Sequence, residues 1–216
     1  MKVDEGILTE NKFEEKHLLY KQNPIDGRKL IEEPTNEIIP NTLFVVTPCM
    51  GTLMLSYVKS ILELQSFCHA KKIVSKFHMV QSSMVTQGRN LCVQAFLQSN
   101  YSHMLFLDSD IEFDATSIFF MINANKDVVL TPYPMKVFDW NKARRLNQKT
   151  GRPIEECPHF YCLEFPDEKN IVSNDGLCEI TKGPAGCMLI KREVFDKMIK
   201  AYPEMKIKQK QLVNGL

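Results

Sequence analysis

The chain has 216 residues, with 27 basic and 26 acidic side chains and a formal net charge of +1. Its 44% hydrophobic and 25% charged content excludes a wholly disordered or collagen-like chain, and the length suffices to bury a sizeable core. Without a basic excess, nothing global points to nucleic acid as a partner.

Residues 1–40 are rich in Glu, Lys and Asn and carry Pro24, Pro34 and Pro40 with no sustained apolar period. They read as an arm or linker, with a short helix begun around Asn11 and anchored by Leu18, Leu19 and Tyr20. From Asn41 strands and helices alternate. Thr42 to Thr47 is a β-branched apolar run stopped by Pro48, as suits a buried parallel strand. Leu53 to Ala70 spaces Leu55, Val58, Ile61, Leu62, Leu64 and Phe67 for one helical face. A strand over Val74 to Val80 and a helix over Thr86 to Leu97 follow. The strand His103 to Leu107 runs straight into Asp108-Ser109-Asp110. Asp114 to Asn125 is a helix capped by Asp114, and Val128 to Thr131 is a fourth strand.

Residues 135–158 read as a polar, basic loop containing the only tryptophan, Trp140. Lys142, Ala143, Arg144, Arg145 and Lys149 belong to that solvated stretch. His159 to Phe165 and Leu177 to Thr181 are short strands, the second preceded by an Asn174-Asp175-Gly176 turn. The tight turn Gly183-Pro184-Ala185-Gly186 leads into a strand over Cys187 to Ile190, and Glu193 to Tyr202 is the last helix. The expected architecture is α/β: a mostly parallel sheet with helices on both faces and a small antiparallel extension. Residues 41–205 form that domain, and 206–216 a Lys-rich tail compatible with a junction to a further segment.

No apolar run reaches the roughly 18–20 residues that cross a bilayer, and the acidic Met1 to Glu5 start lacks a signal core. Seven cysteines without a CxxC pair read as reduced thiols in a cytoplasmic compartment. Cys68, Cys92 and Cys187 act there as small hydrophobes.

In a parallel sheet, ligands bind beyond the carboxyl ends of the strands. Thr47-Pro48 and Asp108-Ser109-Asp110 both fall there. Two carboxylates one residue apart at a strand mouth can share a hard cation such as Mg²⁺ or Mn²⁺, with diphosphate oxygens and water completing its shell. Thr86-Gln87-Gly88-Arg89-Asn90, followed by a helix and the strand into Asp108-Ser109-Asp110, resembles the nucleotide-sugar glycosyltransferases of the GT-A fold. In particular it resembles the small viral and phage branch typified by chlorella-virus capsid glycosyltransferases. Asp127-Val128-Val129 leading to Pro132-Tyr133-Pro134, and the Gly183 to Gly186 turn before Met188 to Arg192, extend the likeness over roughly residues 41–200.

The resemblance implies transfer of a sugar from a nucleoside diphosphate donor, UDP favoured, to a hydroxyl on a glycan or protein-glycan, in the host cytoplasm if viral. It implies that Thr47 and Pro48 line the nucleoside pocket and that Arg89 reaches ribose or diphosphate. Asp108, with Ser109 beside it, would contact ribose or metal. Asp110 would ligate Mn²⁺ or Mg²⁺, and Ala185 and Gly186 would approach the donor sugar. Such enzymes usually carry a late acidic base and a metal-binding histidine, whereas no histidine follows His159 here. Asp175 is then the candidate base, with Asp139 second. Trp140, with Phe138 and Tyr133, is the candidate acceptor platform.

Three other readings compete. A haloacid-dehalogenase-type phosphatase also sets DxD after a strand, but it wants Thr or Val where this chain has Glu112. A nucleotidyltransferase would carry a glycine-rich loop where Met50-Gly51-Thr52-Leu53 stands. A non-catalytic sugar-nucleotide or glycan-binding module would keep the donor site without the base.

Overall fold

The computed structural model describes residues 38–136, 138–154, 161–167 and 171–206. The chain divides into two units, Met1–Glu37 and Ile38–Leu216, and every described residue belongs to the second. The helix expected near Asn11, Cys157, His159 and residues 207–216 of the tail lie outside the described residues.

In chain order the elements are β1 (Ile39–Cys49), α1 (Leu55–Ala70), β2 (Ser75–Gln81), α2 (Val85–Leu97), β3 (Tyr101–Leu107), α3 (Ala115–Asn123) and β4 (Val128–Leu130). Then come α4 (Trp140–Thr150), the hairpin β5 (Ser173–Asn174) and β6 (Leu177–Cys178), β7 (Cys187–Lys191) and α5 (Arg192–Ala201). The main sheet has the order β2-β1-β3-β7-β4. β1 runs parallel to both β2 and β3, while β7 is antiparallel to both β3 and β4. Four strands therefore point one way and β7 the other, with β5 and β6 as the small antiparallel sheet.

Alternation along the strands sorts the core into two layers. Leu43, Val45, Leu105, Leu107 and Leu189 face Tyr57, Ile61 and Leu64 of α1 and Ile118 and Met121 of α3. On the opposite side Phe44 lies 5.9 Å from Phe96 of α2, and Phe96 lies 5.5 Å from Phe195 of α5. Strands covered on both faces explain the near-continuous apolar runs at residues 43–46 and 104–107. Each such buried side chain contributes about 1.5–3 kcal/mol.

Several boundaries differ from expectation for visible reasons. β1 starts at Ile39, inside the segment read as an arm, and passes a bulge between Ile39 and Leu43 where Asn41 has φ of 55°. Thr42 and Ser102 bridge that break, each backbone N–H donating to the other's hydroxyl at 2.9 Å. Pro48 does not end the strand: it pairs opposite Val80 of β2, beyond the last β3 pair at Val46. There one side of the strand needs no ladder N–H.

The larger correction concerns residues 140–150, read as loop and found as α4. Asp139 caps its start by accepting from the Lys142 N–H at 2.9 Å, and Gly151 ends it with φ of 70°. The strand expected from His159 to Phe165 is reduced, among the described residues, to isolated bridges at Tyr161 and Glu164. The Asp175-Gly176 turn is as expected, with φ of 51° and 78° at its two residues.

Candidate functional site

The carboxyl end of β3 is built as a rigid rim. Asp108 donates its backbone N–H to the Gly186 carbonyl at 2.8 Å, and its own carbonyl accepts from the Ile111 N–H at 3.2 Å. The Ser109 carbonyl accepts from the Met54 N–H at 3.0 Å, and the Phe113 N–H donates to Ser60 Oγ at 3.0 Å, so the turn after β3 is tied to α1 at both ends.

α2 delivers the main cation. Its Gly88 is buried, and a Cβ there would stand 3.2 Å from Ser82 Cβ and 3.4 Å from Pro48 Cβ. That absence lets the helix start sit down on the end of β1. Arg89, one residue on, spans the gap between two loops. Its Nη2 donates to Asp108 Oδ1 at 2.7 Å, its Nη1 donates to the Ala185 carbonyl at 3.0 Å, and the guanidinium lies 5.0 Å from the centre of the Phe106 ring. Gly186 completes the cluster by donating its N–H to Tyr133 Oη at 3.1 Å. A Cβ on Gly186 would fall 2.3 Å from Tyr133 Oη and 2.7 Å from Asp108 Oδ2, so only glycine fits between them.

Burial raises the Asp108 carboxyl above its ordinary value; the Arg89 charge opposes this, and the Asp110 carboxylate adds to it. Burial likewise raises the Tyr133 hydroxyl, with Asp108 reinforcing it. Asp110 is more open, at 41% exposure, and its Oδ2 receives Lys136 Nζ at 2.5 Å. Lys136 is not among the residues the sequence analysis singles out, and Tyr133, expected beside Phe138 and Trp140, has its hydroxyl at Gly186.

Two expected residues stand apart from this cluster. Thr47 is 1% exposed and its hydroxyl is bonded to Tyr57, so its side chain belongs to the core beneath the strand end. Asp175 sits on the β5–β6 turn beside Gly176, whose Cβ position is 3.3 Å from Phe120 of α3. That turn borders a depression of ≈ 350 Å³ between α3 and β4, lined by Phe120, Leu130, Thr131 and Pro132 among others, and by none of Arg89, Asp108, Asp110 or Gly186. Among the described residues no third carboxylate and no histidine hydrogen-bonds to the cluster. Trp140 opens α4 at 61% exposure, its ring edge-on to Phe138 at 4.6 Å between centres. Tyr133 is instead engaged at Gly186.

No family model matches the sequence, and no curated protein matches it. Solved structures do. A197 from STIV is 24% identical over 72% of this chain and 68% of its own, with a TM-score of 0.42. The 4-diphosphocytidyl-2C-methyl-D-erythritol synthase of Anaerococcus prevotii is 10% identical over 79% of this chain and 78% of its own, with a TM-score of 0.38. A glycosyltransferase involved in glycosylation of the major capsid of PBCV-1 is 11% identical over 76% of this chain and 68% of its own, with a TM-score of 0.28.

A hard divalent cation suits the donor set at the strand end. Asp108 gives one oxygen to Arg89 and Asp110 gives one to Lys136, so each keeps a second oxygen. Mg²⁺ is commonly held by one or two carboxylates with substrate phosphates and water supplying the rest. Among the described residues no group of three His, Cys, Asp or Glu side chains could hold a metal ion. Among the same residues no helix is long and apolar enough to cross a membrane.

Proposed function

We propose that this protein transfers a sugar from a nucleoside diphosphate donor to a hydroxyl acceptor at the carboxyl end of β3. The observation that carries the reading is the Arg89 fork, which holds a half-buried carboxylate and the Gly186 loop together beside a second, open carboxylate. A diphosphate leaving group gathers negative charge as the glycosidic bond breaks, and preorganised cations placed there lower its energy. Arg89 is the candidate for that role, since a guanidinium has N–H groups to spare beyond those on Asp108 and Ala185 and binds phosphate oxygens well. Asp108 and Asp110 would hold Mn²⁺ or Mg²⁺, which supplies Lewis-acid stabilisation of the diphosphate when bound.

Pro48 and Ser109 border the nucleotide, and Ala185 and Gly186 the donor sugar. Exposed Trp140 offers an aromatic face to the acceptor. Asp175, the candidate base, has its turn against α3, away from the contacts that define the cluster. A second reading, donor binding without turnover, is favoured by the lack of a third acidic group bonded to the cluster among the described residues. Release of UDP on adding an acceptor separates the two.

The test is calorimetric titration with UDP, GDP, UDP-glucose and GDP-mannose, each with and without Mn²⁺. Metal-dependent binding of one nucleotide class is expected, and Asp110→Ala should abolish the dependence. A folded chain that binds none of them, or unchanged affinity in Asp110→Ala, refutes the donor site or the metal assignment respectively.

A further inference from the structure

The two carboxylates of the cluster each carry a cation, but the two pairs are built differently. Arg89 and Asp108 are 23% and 29% exposed. The guanidinium is fixed by a second bond to the Ala185 carbonyl and by the Phe106 ring beneath it. Lys136 and Asp110 are 82% and 41% exposed, with the single contact between Nζ and Oδ2. One pair is part of the frame, and the other is a loose tie on its surface.

The root of Lys136 is nonetheless anchored. It lies three residues after Tyr133, whose hydroxyl is bonded to Gly186, and two after Pro134, which bridges to Tyr161. A lysine ammonium is a compact charge on a flexible stem, so from that root it can sweep the mouth of the cluster without moving the backbone.

We propose that Lys136 is an exchangeable counter-ion: it holds Asp110 until a divalent cation takes the carboxylate, and its ammonium then passes to the diphosphate that arrives with the metal. This rests on the nucleotide-sugar reading above and adds to it a residue with two successive partners. Two negative and two positive side chains leave the cluster neutral. The diphosphate of a nucleotide sugar carries two negative charges and so brings no net charge together with its divalent cation, and the exchange trades ion pairs in equal number. A divalent cation on the second Asp110 oxygen repels the ammonium across the same carboxylate, so metal alone weakens the lysine pair and gives the ammonium nothing in return. Diphosphate alone finds the ammonium already engaged. Each ligand therefore favours the other through Lys136.

The consequence is a pair of opposite effects from one substitution. Mn²⁺ alone is titrated calorimetrically into the wild-type protein and into Lys136→Gln, and UDP is then titrated into each at saturating Mn²⁺. Lys136→Gln should bind Mn²⁺ alone about two- to fivefold more tightly, the range an exposed ion pair supports. It should bind UDP more weakly by about fivefold, and Lys136→Arg should recover most of that loss. A general disturbance would shift both affinities the same way; that result, or unchanged Mn²⁺ affinity, overturns the exchange. Failure of both folded proteins to bind Mn²⁺ overturns the metal reading beneath it instead, so the two failures are distinguishable. With Lys136 so exposed, loss of folding is not an expected confounder.

Discussion

Arg89 touches Asp108, Ala185 and the face of Phe106 at once, and its removal strands a carboxylate that burial already pushes upward. Arg89→Met should cost about 2 kcal/mol of unfolding free energy at pH 7, from the lost charge-assisted bonds. The cost should shrink as pH falls. An Asp108 pKa raised above its ordinary 3.8 means that the protonated form is the one the fold prefers. The stability tied to that form is complete below 3.8 and lost as pH rises through the folded-state value. Without the guanidinium that value climbs further, so the gap between variant and wild type widens from acid to neutral pH. Urea midpoints of both proteins at pH 4 and pH 7 measure it, and a pH-independent gap would refute the assignment. The carboxylates themselves were legible, because an apolar strand running into DxD places them at a strand end. Their partners were not: Asp108 to Arg89 spans 19 residues and Asp110 to Lys136 spans 26, and no local pattern encodes such pairings.

Among the elements, α5 is joined to the sheet by a buried cation. Arg192, 8% exposed, donates to the Phe96, Ser99 and Tyr101 carbonyls at 2.8, 2.6 and 2.7 Å and lies 4.3 Å from the Phe96 ring centre. It thus caps the end of α2, whose last carbonyls have no partner within the helix. Arg192→Leu should lower unfolding free energy by about 3 kcal/mol, since its charged donors are lost from the Ser99 and Tyr101 carbonyls, whereas the Phe96 carbonyl keeps the Ser99 N–H and hydroxyl. Arg192→Lys should recover little, because one ammonium cannot reach all three directions. Thermal and urea unfolding would show this, and a loss under 1 kcal/mol would count against it. The strands and the helices α1, α2, α3 and α5 were readable from apolar period. In Trp140–Thr150 only Ala143 is buried, and Trp140, Ala143 and Leu146 are the only apolar residues on a helical spacing, too few to stand out from the polar majority. Its caps, Asp139 and Gly151, were the available signal. The direction of β7 had none, since Cys187-Met188-Leu189-Ile190 pairs equally well either way.

For the whole molecule, burial pushes the thiols of Cys92 and Cys187 up to about 11. Cys92 is on the buried side of α2, and Cys187 is in β7, packed in the layer with α1 and α3. At pH 8 iodoacetamide should label neither until the protein opens, because thiolate is the reacting species. If the domain opens as one unit, the two sites should be labelled at the same rate across a urea series. Faster labelling of Cys187 would show β7 leaving by itself. That possibility follows from where β7 sits. The strand occupies the space between β3 and β4 yet is synthesised after both, with Asp108 waiting 78 residues for the Gly186 carbonyl it bonds. During synthesis β3 and β4 each present a bare apolar edge, a template for mispairing with another chain. The proposed donor site, built on the Asp108–Gly186 bond, needs that gap closed. If it binds a nucleotide as proposed, binding would mark the completion of folding, and the nucleotide should act as a folding aid by drawing β7 into place.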